Sequence, residues 1–168
     1  MHNIIHRFAD CRLLVIGDLM IDEYVWGNVD RISPEAPVQV VSVIREDLTL
    51  GGAGNVVNNL RALGAQVSVA GVVGKAADGD RLIDMFNGLQ VDCRGVGQEA
   101  ERPTTRKTRI IASNQHVLRV DRETKREIST ASFDRLVTFM ETVMPDIDVV
   151  LVSDYNKGLV TANLMERV

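Results

Sequence analysis

The chain has 168 residues, 45% of them hydrophobic and 25% charged, with a formal net charge of −4. This is long enough for one domain with a real core and too apolar for a disordered chain. The acidic balance disfavours a nucleic-acid partner, which needs a basic surface, and two cysteines, Cys11 and Cys93, are too few for a disulfide framework.

The first eight residues, Met1 to Phe8, contain no apolar signal-peptide core. No apolar run approaches the ~18 residues needed to span a bilayer. The expectation is a cytoplasmic protein with reduced cysteines and no membrane partner. His2, His6 and His116 form no metal-ligand spacing.

Arg12 to Gly17 is a continuous apolar run ending in glycine, as in a buried parallel strand. Asp18 and Asp22 follow it, and the C-terminal ends of strands are where open α/β sheets bind ligands. Residues 24–48 are β-rich but broken by Ser33-Pro34-Glu35-Ala36-Pro37, which cannot be helix interior, so they read as strands outside the main layer. Gly51-Gly52-Ala53-Gly54-Asn55 opens a helix to about Leu63, with Gly64 as its C′ residue. Three glycines let a backbone approach a ligand closely, and a helix N-terminus aims amide N–H groups at a polar or anionic one. A tight loop before a helix would use the same residues. The segment matches neither dinucleotide nor P-loop fingerprints.

Next come a strand at Gln66–Gly71, a helix at Ala77–Leu89 and a strand at Val91–Val96. Lys107–Ala112 and His116–Asp121 are β-like runs joined by Ser113-Asn114-Gln115. Alternation puts Lys107 and Arg109 on one strand face, able to hold a phosphate or simply to be solvated. Thr130 to Met144 is an amphipathic helix with Phe133, Leu136, Val137, Met140 and Val143 on one face. Ile147 to Val152 is a second buried strand, followed by Asp154 and Lys157, and Thr161 is placed to N-cap a two-turn helix. Alternating strands and helices predict an α/β fold with a parallel sheet flanked by helices. The sheet looks interrupted at Val168, so the chain reads as part of a longer domain.

The combined pattern resembles the ribokinase-like (PfkB) carbohydrate kinase family from about Leu13 to Leu159. Within it the nearest resemblance is to the heptose 7-phosphate kinase domain of bifunctional ADP-heptose synthases. The resemblance rests on Val15-Ile16-Gly17-Asp18-Leu19-Met20-Ile21-Asp22, Arg31-Ile32-Ser33-Pro34-Glu35-Ala36-Pro37-Val38 and Gly51-Gly52-Ala53-Gly54-Asn55-Val56. It continues through Pro103-Thr104, Asn114-Gln115 with Arg119 and Asp121, and Leu151-Val152-Ser153-Asp154-Tyr155 with Lys157-Gly158. The Arg31–Pro37 and Asn114–Asp121 runs are more specific than the glycines.

What the resemblance implies is a truncated ribokinase-like domain over residues 1–168, with a Rossmann-like sheet and a β-strand lid at about 24–45 and 103–121. Asp22 then matches the family's sugar-hydroxyl aspartate, and Gly51, Gly52 and Asn55 its sugar-side glycine motif. Asp18 and Asn114 join the candidate substrate-binding set. Lys107 and Arg109 become candidates for the substrate's own phosphate, while Asp154 and Lys157 fall near the junction of sugar and nucleotide. The implied reaction is transfer from ATP, with Mg²⁺, to O1 of D-glycero-D-manno-heptose 7-phosphate, in ADP-heptose and lipopolysaccharide-core synthesis. The family's catalytic base and ATP site lie in a second half beyond these residues. No tightly bound cofactor, no metal site and no activity are therefore expected of this chain alone. A homodimer through the lid strands is also implied. The alternatives are a kinase for another sugar or sugar phosphate, and a non-catalytic module for sugar-phosphate binding or dimerisation.

Overall fold

The computed structural model describes residues 6–168. Of the N-terminal stretch read above, residues 1–5, including His2, lie outside the described residues.

Strand β1 (Arg12–Gly17) is the axis of the first sheet, and Leu14, Val15 and Ile16 are fully buried in it. It pairs in parallel with β4 (Gln66–Gly74) on one side and β8 (Val149–Ser153) on the other; β5 (Asp92–Glu99) adds outside β4, giving the order β5-β4-β1-β8. Alternate side chains of β1 feed two cores, as the two-residue period of a strand requires. Leu13 and Val15 pack with Val57 of α1 (Ala53–Ala62) and with Leu82 and Phe86 of α2 (Ala77–Gly88). Leu14 and Ile16 pack with Leu136, Val137 and Met140 of α3 (Thr130–Val143) on the opposite face. Each such aliphatic or aromatic side chain contributes roughly 1.5–3 kcal/mol by leaving water, so the helices are held by their apolar stripes. Ser129 and Thr161 accept N-cap bonds from the backbone N–H groups of Ser132 and Leu164 at 3.2 Å. The helix after Thr161, α4 (Ala162–Met165), is a single turn and not the two read from the sequence.

The second sheet is β3-β2-β6-β7, built from the long hairpin β2 (Leu19–Ile32) and β3 (Gln39–Gly52) and the shorter hairpin β6 (Thr105–Ala112) and β7 (Gln115–Arg122). β2 and β6 run parallel, with Asp22 opposite Lys107 and Tyr24 opposite Arg109. The β6–β7 turn is Ser113-Asn114, both at positive φ (49° and 63°), the backbone of a two-residue hairpin; Gln115 already belongs to β7.

The strands of this lid start lower than residue 24. Only Asp18 separates β1 from β2, and nothing separates β3 from α1. The helix read as opening at Gly51 therefore opens at Ala53, because Gly51 and Gly52 close β3. Gly52 sits at φ 54°, ψ −131°, and a Cβ there would lie 2.6 Å from the Asp18 carbonyl oxygen. Only glycine accepts both conditions. That crossing ties the lid to the parallel sheet, with the Ala53 N–H donating to the Asp18 carbonyl at 3.1 Å.

Candidate functional site

At the base of the lid the sequence brings a carboxylate and a glycine face to face. Asp22 projects from β2 beside Gly51 of β3, and a Cβ on Gly51 would stand 2.5 Å from Asp22 Oδ2. Glycine at 51 thus makes room for the carboxylate. An open cleft of about 540 Å³ begins there, lined by Asp22, Tyr24, Thr49, Asn55, Asn58, Met85 of α2 and Leu89 just past its end. Asn55 and Asn58 lie on α1, whose first amides have no intrahelical acceptor. One wall offers a carboxylate and carboxamides, and the other is apolar, a composition suited to a polyhydroxylated ligand.

Arg109 donates from its Nη1 to Asp22 Oδ1 at 2.6 Å, and its guanidinium lies 5.2 Å from the centre of the Tyr24 ring. The hydrogen bond to Asp22, outweighing desolvation, raises the pKa of Arg109 above its usual value. Lys107 faces the same side, directly opposite Asp22 in the β2–β6 register.

Of the other residues singled out from the sequence, Asp18 is 4% exposed and spent on structure. Its Oδ2 accepts the backbone N–H groups of Tyr155 at 2.8 Å and Lys157 at 3.1 Å. Asp154 accepts from the Asn156 N–H at 2.7 Å. Lys157 Nζ is held 3.1 Å from both Glu123 carboxylate oxygens. These three shape the loop after β8, away from the residues lining the Asp22 cleft. Asn114 is in the hairpin turn at the far end of β6, beside a separate depression with Trp26 and Arg45, seven positions along the chain from Lys107. The structure therefore brings Asp22, Gly51 and Asn55 together and sets Lys107 and Arg109 beside them; Gly52 packs on the Asp18 backbone at the crossing, the Asp18 carboxylate turns to the loop that carries Asp154 and Lys157, and Asn114 lies at the far end of the lid.

Two charged clusters that support the cleft were not singled out from the sequence. On the opposite face of the lid, Glu23 receives Arg106 through Nε at 3.0 Å and through a second short contact, and also the Thr108 hydroxyl. Arg106 Nη1 continues to Asp78 of α2 at 2.9 Å. The Arg106 hydrogen bond holds the Glu23 carboxyl below the usual glutamate range, against the opposing effect of burial. At the foot of β6, Arg102 donates to Glu99 at 2.9 Å, to the Lys157 carbonyl at 3.1 Å and to the Arg126 carbonyl at 2.5 Å. It thereby joins the lid to the loop after β8 and to the segment leading into α3. Among the described residues no group of three or more His, Cys, Asp or Glu side chains is placed to hold a metal ion, and no helix is long and apolar enough to cross a membrane.

A helix-flanked parallel sheet bearing a separate four-stranded lid is the architecture of ribokinase-like kinases. The chain shares it with a ribokinase from Giardia lamblia (TM-score 0.60, 19% identity, 84% of this chain and 44% of that one). A microbiome-derived acarbose kinase is equally similar (TM-score 0.61, 20% identity, 84% and 45%). The model of the pfkB family of carbohydrate kinases matches residues 11–154, and the chain belongs to that family. It is 56% identical over 160 residues to the bifunctional protein HldE of Desulfatibacillum aliphaticivorans, covering 95% of this chain and 33% of that protein. To HldE of Geotalea uraniireducens it is 52% identical over 162 residues, covering 96% and 33%. The chain spans about a third of the length of these relatives.

Proposed function

We propose that this chain forms the acceptor-sugar part of an ATP-dependent sugar kinase whose substrate is D-glycero-D-manno-heptose 7-phosphate, phosphorylated at O1 on the route to ADP-heptose. The observation that carries the reading is the Asp22 carboxylate, set in the cleft by the missing Cβ of Gly51 and flanked by two cations, Lys107 and Arg109. High identity to HldE proteins over nearly the whole chain favours this substrate over other sugars.

In this reading Asp22 accepts hydrogen bonds from adjacent ring hydroxyls, since a carboxylate has lone pairs for both. The Asn55 carboxamide adds a donor and an acceptor. The cationic pair on β6 receives the phosphate the sugar already carries. MgATP supplies the phosphoryl group from a site outside these residues. What this chain contributes is the fixed position of the acceptor, the main means by which phosphoryl transfer is accelerated. Asp22→Asn keeps the shape and removes the charge. Titration calorimetry with heptose 7-phosphate is expected to show affinity falling about 10- to 100-fold, or roughly 1–3 kcal/mol. An unchanged dissociation constant would take Asp22 out of the site.

We further propose that the lid mediates a homodimer. Ile44, Leu118 and Val120 are 69%, 55% and 48% exposed there, more apolar surface than a lone lid would carry without cost. Sedimentation is expected to show a dimer that Leu118→Asp converts to monomer; a monomeric wild type at high concentration would contradict it.

A further inference from the structure

The ion pair in the cleft raises a problem for a simple binding site. The carboxylate that would receive sugar hydroxyls already carries a guanidinium at 2.6 Å. Both side chains are sheltered, with Asp22 20% and Arg109 22% exposed, so water screens the pair only in part. The same guanidinium covers the Tyr24 ring at 5.2 Å, hiding an aromatic face on which a sugar could stack. Lys107, directly opposite Asp22, is the residue an Arg109 that swings toward a phosphate would join.

We propose that Arg109 is a phosphate-operated latch on Asp22 and so sets the preference for a phosphorylated acceptor. The inference rests on the acceptor-site reading above. With no phosphate in the cleft, Arg109 neutralises Asp22 and shields Tyr24. A dianionic phosphate beside Lys107 offers Arg109 a stronger, bidentate partner than one carboxylate oxygen. The guanidinium moves to it, the carboxylate becomes available to the sugar hydroxyls, and the Tyr24 ring is uncovered. A free sugar cannot operate the latch and must compete with Arg109 for Asp22. Discrimination then arises from a penalty on the wrong ligand as well as from attraction to the right one.

The latch has a signature that an ordinary phosphate contact lacks. Calorimetry of this chain with D-glycero-D-manno-heptose and with its 7-phosphate would read it, using the wild type, Arg109→Gln and Arg109→Lys. In Arg109→Gln the free sugar is expected to bind about tenfold more tightly than in the wild type, while the 7-phosphate binds about tenfold more weakly. Arg109→Lys keeps the charge without the fork and is expected to fall between them, and it serves as the test if the glutamine variant does not fold. Millimolar inorganic phosphate is expected to increase wild-type affinity for the free sugar and to leave Arg109→Gln unaffected. Free-sugar affinity that is unchanged or lower in both variants, with no effect of inorganic phosphate on the wild type, would overturn the latch. Wild-type affinities for both sugars in Asp22→Asn would instead overturn the acceptor site itself.

Discussion

Arg102→Met is expected to lower stability by about 3–5 kcal/mol, the cost of leaving a buried charge without its partner. The Arg102 and Glu99 side chains are only 6% and 10% exposed, so little solvent relieves the loss. Methionine fills a similar volume, which confines the effect to the polar groups: the Glu99 carboxylate and the carbonyls of Lys157 and Arg126. Urea denaturation of both proteins measures it. Acid gives an internal check. Burial raises the Glu99 pKa, but the Ser129 backbone N–H and the Arg102 guanidinium outweigh it and hold the group at about 2, against 4.5 for a free side chain. A depressed folded-state value means that the stabilisation is complete above pH 4.5 and fades as pH falls toward 2. The Ser129 and Ser132 hydrogen bonds remain in Arg102→Met, so only the Arg102 share of that shift is lost, and the gap between wild type and Arg102→Met should narrow between pH 4.5 and pH 2. A gap independent of pH would mean that Glu99 is not the group being orphaned.

This architecture was legible wherever a pattern depends on near neighbours. The run Arg12–Gly17 reads as a buried strand because every residue from Leu13 to Ile16 is apolar, and both faces of the strand are covered. The stripe Leu136, Val137, Met140, Val143 and the cap at Thr161 are local in the same sense. Legibility fails where one residue type serves two geometries. Gly51-Gly52 reads as a loop opening a helix, whereas one glycine admits a carboxylate and the other admits a chain crossing. Asp18 and Asp22 look equivalent four residues apart, yet one is buried under the loop after β8 and the other enters the cleft. The Glu23–Arg106 pair was out of reach because its partners are 83 positions apart. A signal was nevertheless present. Alternation puts Glu23 on the face opposite Asp22 and Arg106 on the face opposite Lys107, so pairing β2 with β6 in register brings a negative and a positive side chain together on the buried side.

That pair ties the lid sheet to the helical layer. Glu23 is 7% exposed, and Arg106 links it to Asp78 in the first turn of α2, so one guanidinium bridges the lid sheet and the helical layer. Arg106→Ala leaves the buried Glu23 carboxylate without its ion-pair partner and leaves Asp78 with only Arg122, at 3.9 Å. The expected loss is about 3 kcal/mol, at the low end for a broken buried pair because Arg106 itself is 23% exposed. The Glu23 carboxyl is held below the usual range, so its stabilisation is present above the ordinary glutamate pKa and is lost as pH falls through the folded value. Replacing both partners, as Glu23→Leu with Arg106→Leu, removes the orphaned charge and should recover much of the stability, since apolar side chains of similar size replace buried ion pairs at little cost. The Arg106–Asp78 bridge is not recovered in that double variant. If the bridge positions the lid, heptose 7-phosphate will bind the double variant more weakly than wild type even though its melting temperature has returned. Full recovery of both would assign the pair to stability alone, and the position of Asp22 would then depend on the Gly52 crossing and the β2–β3 ladder.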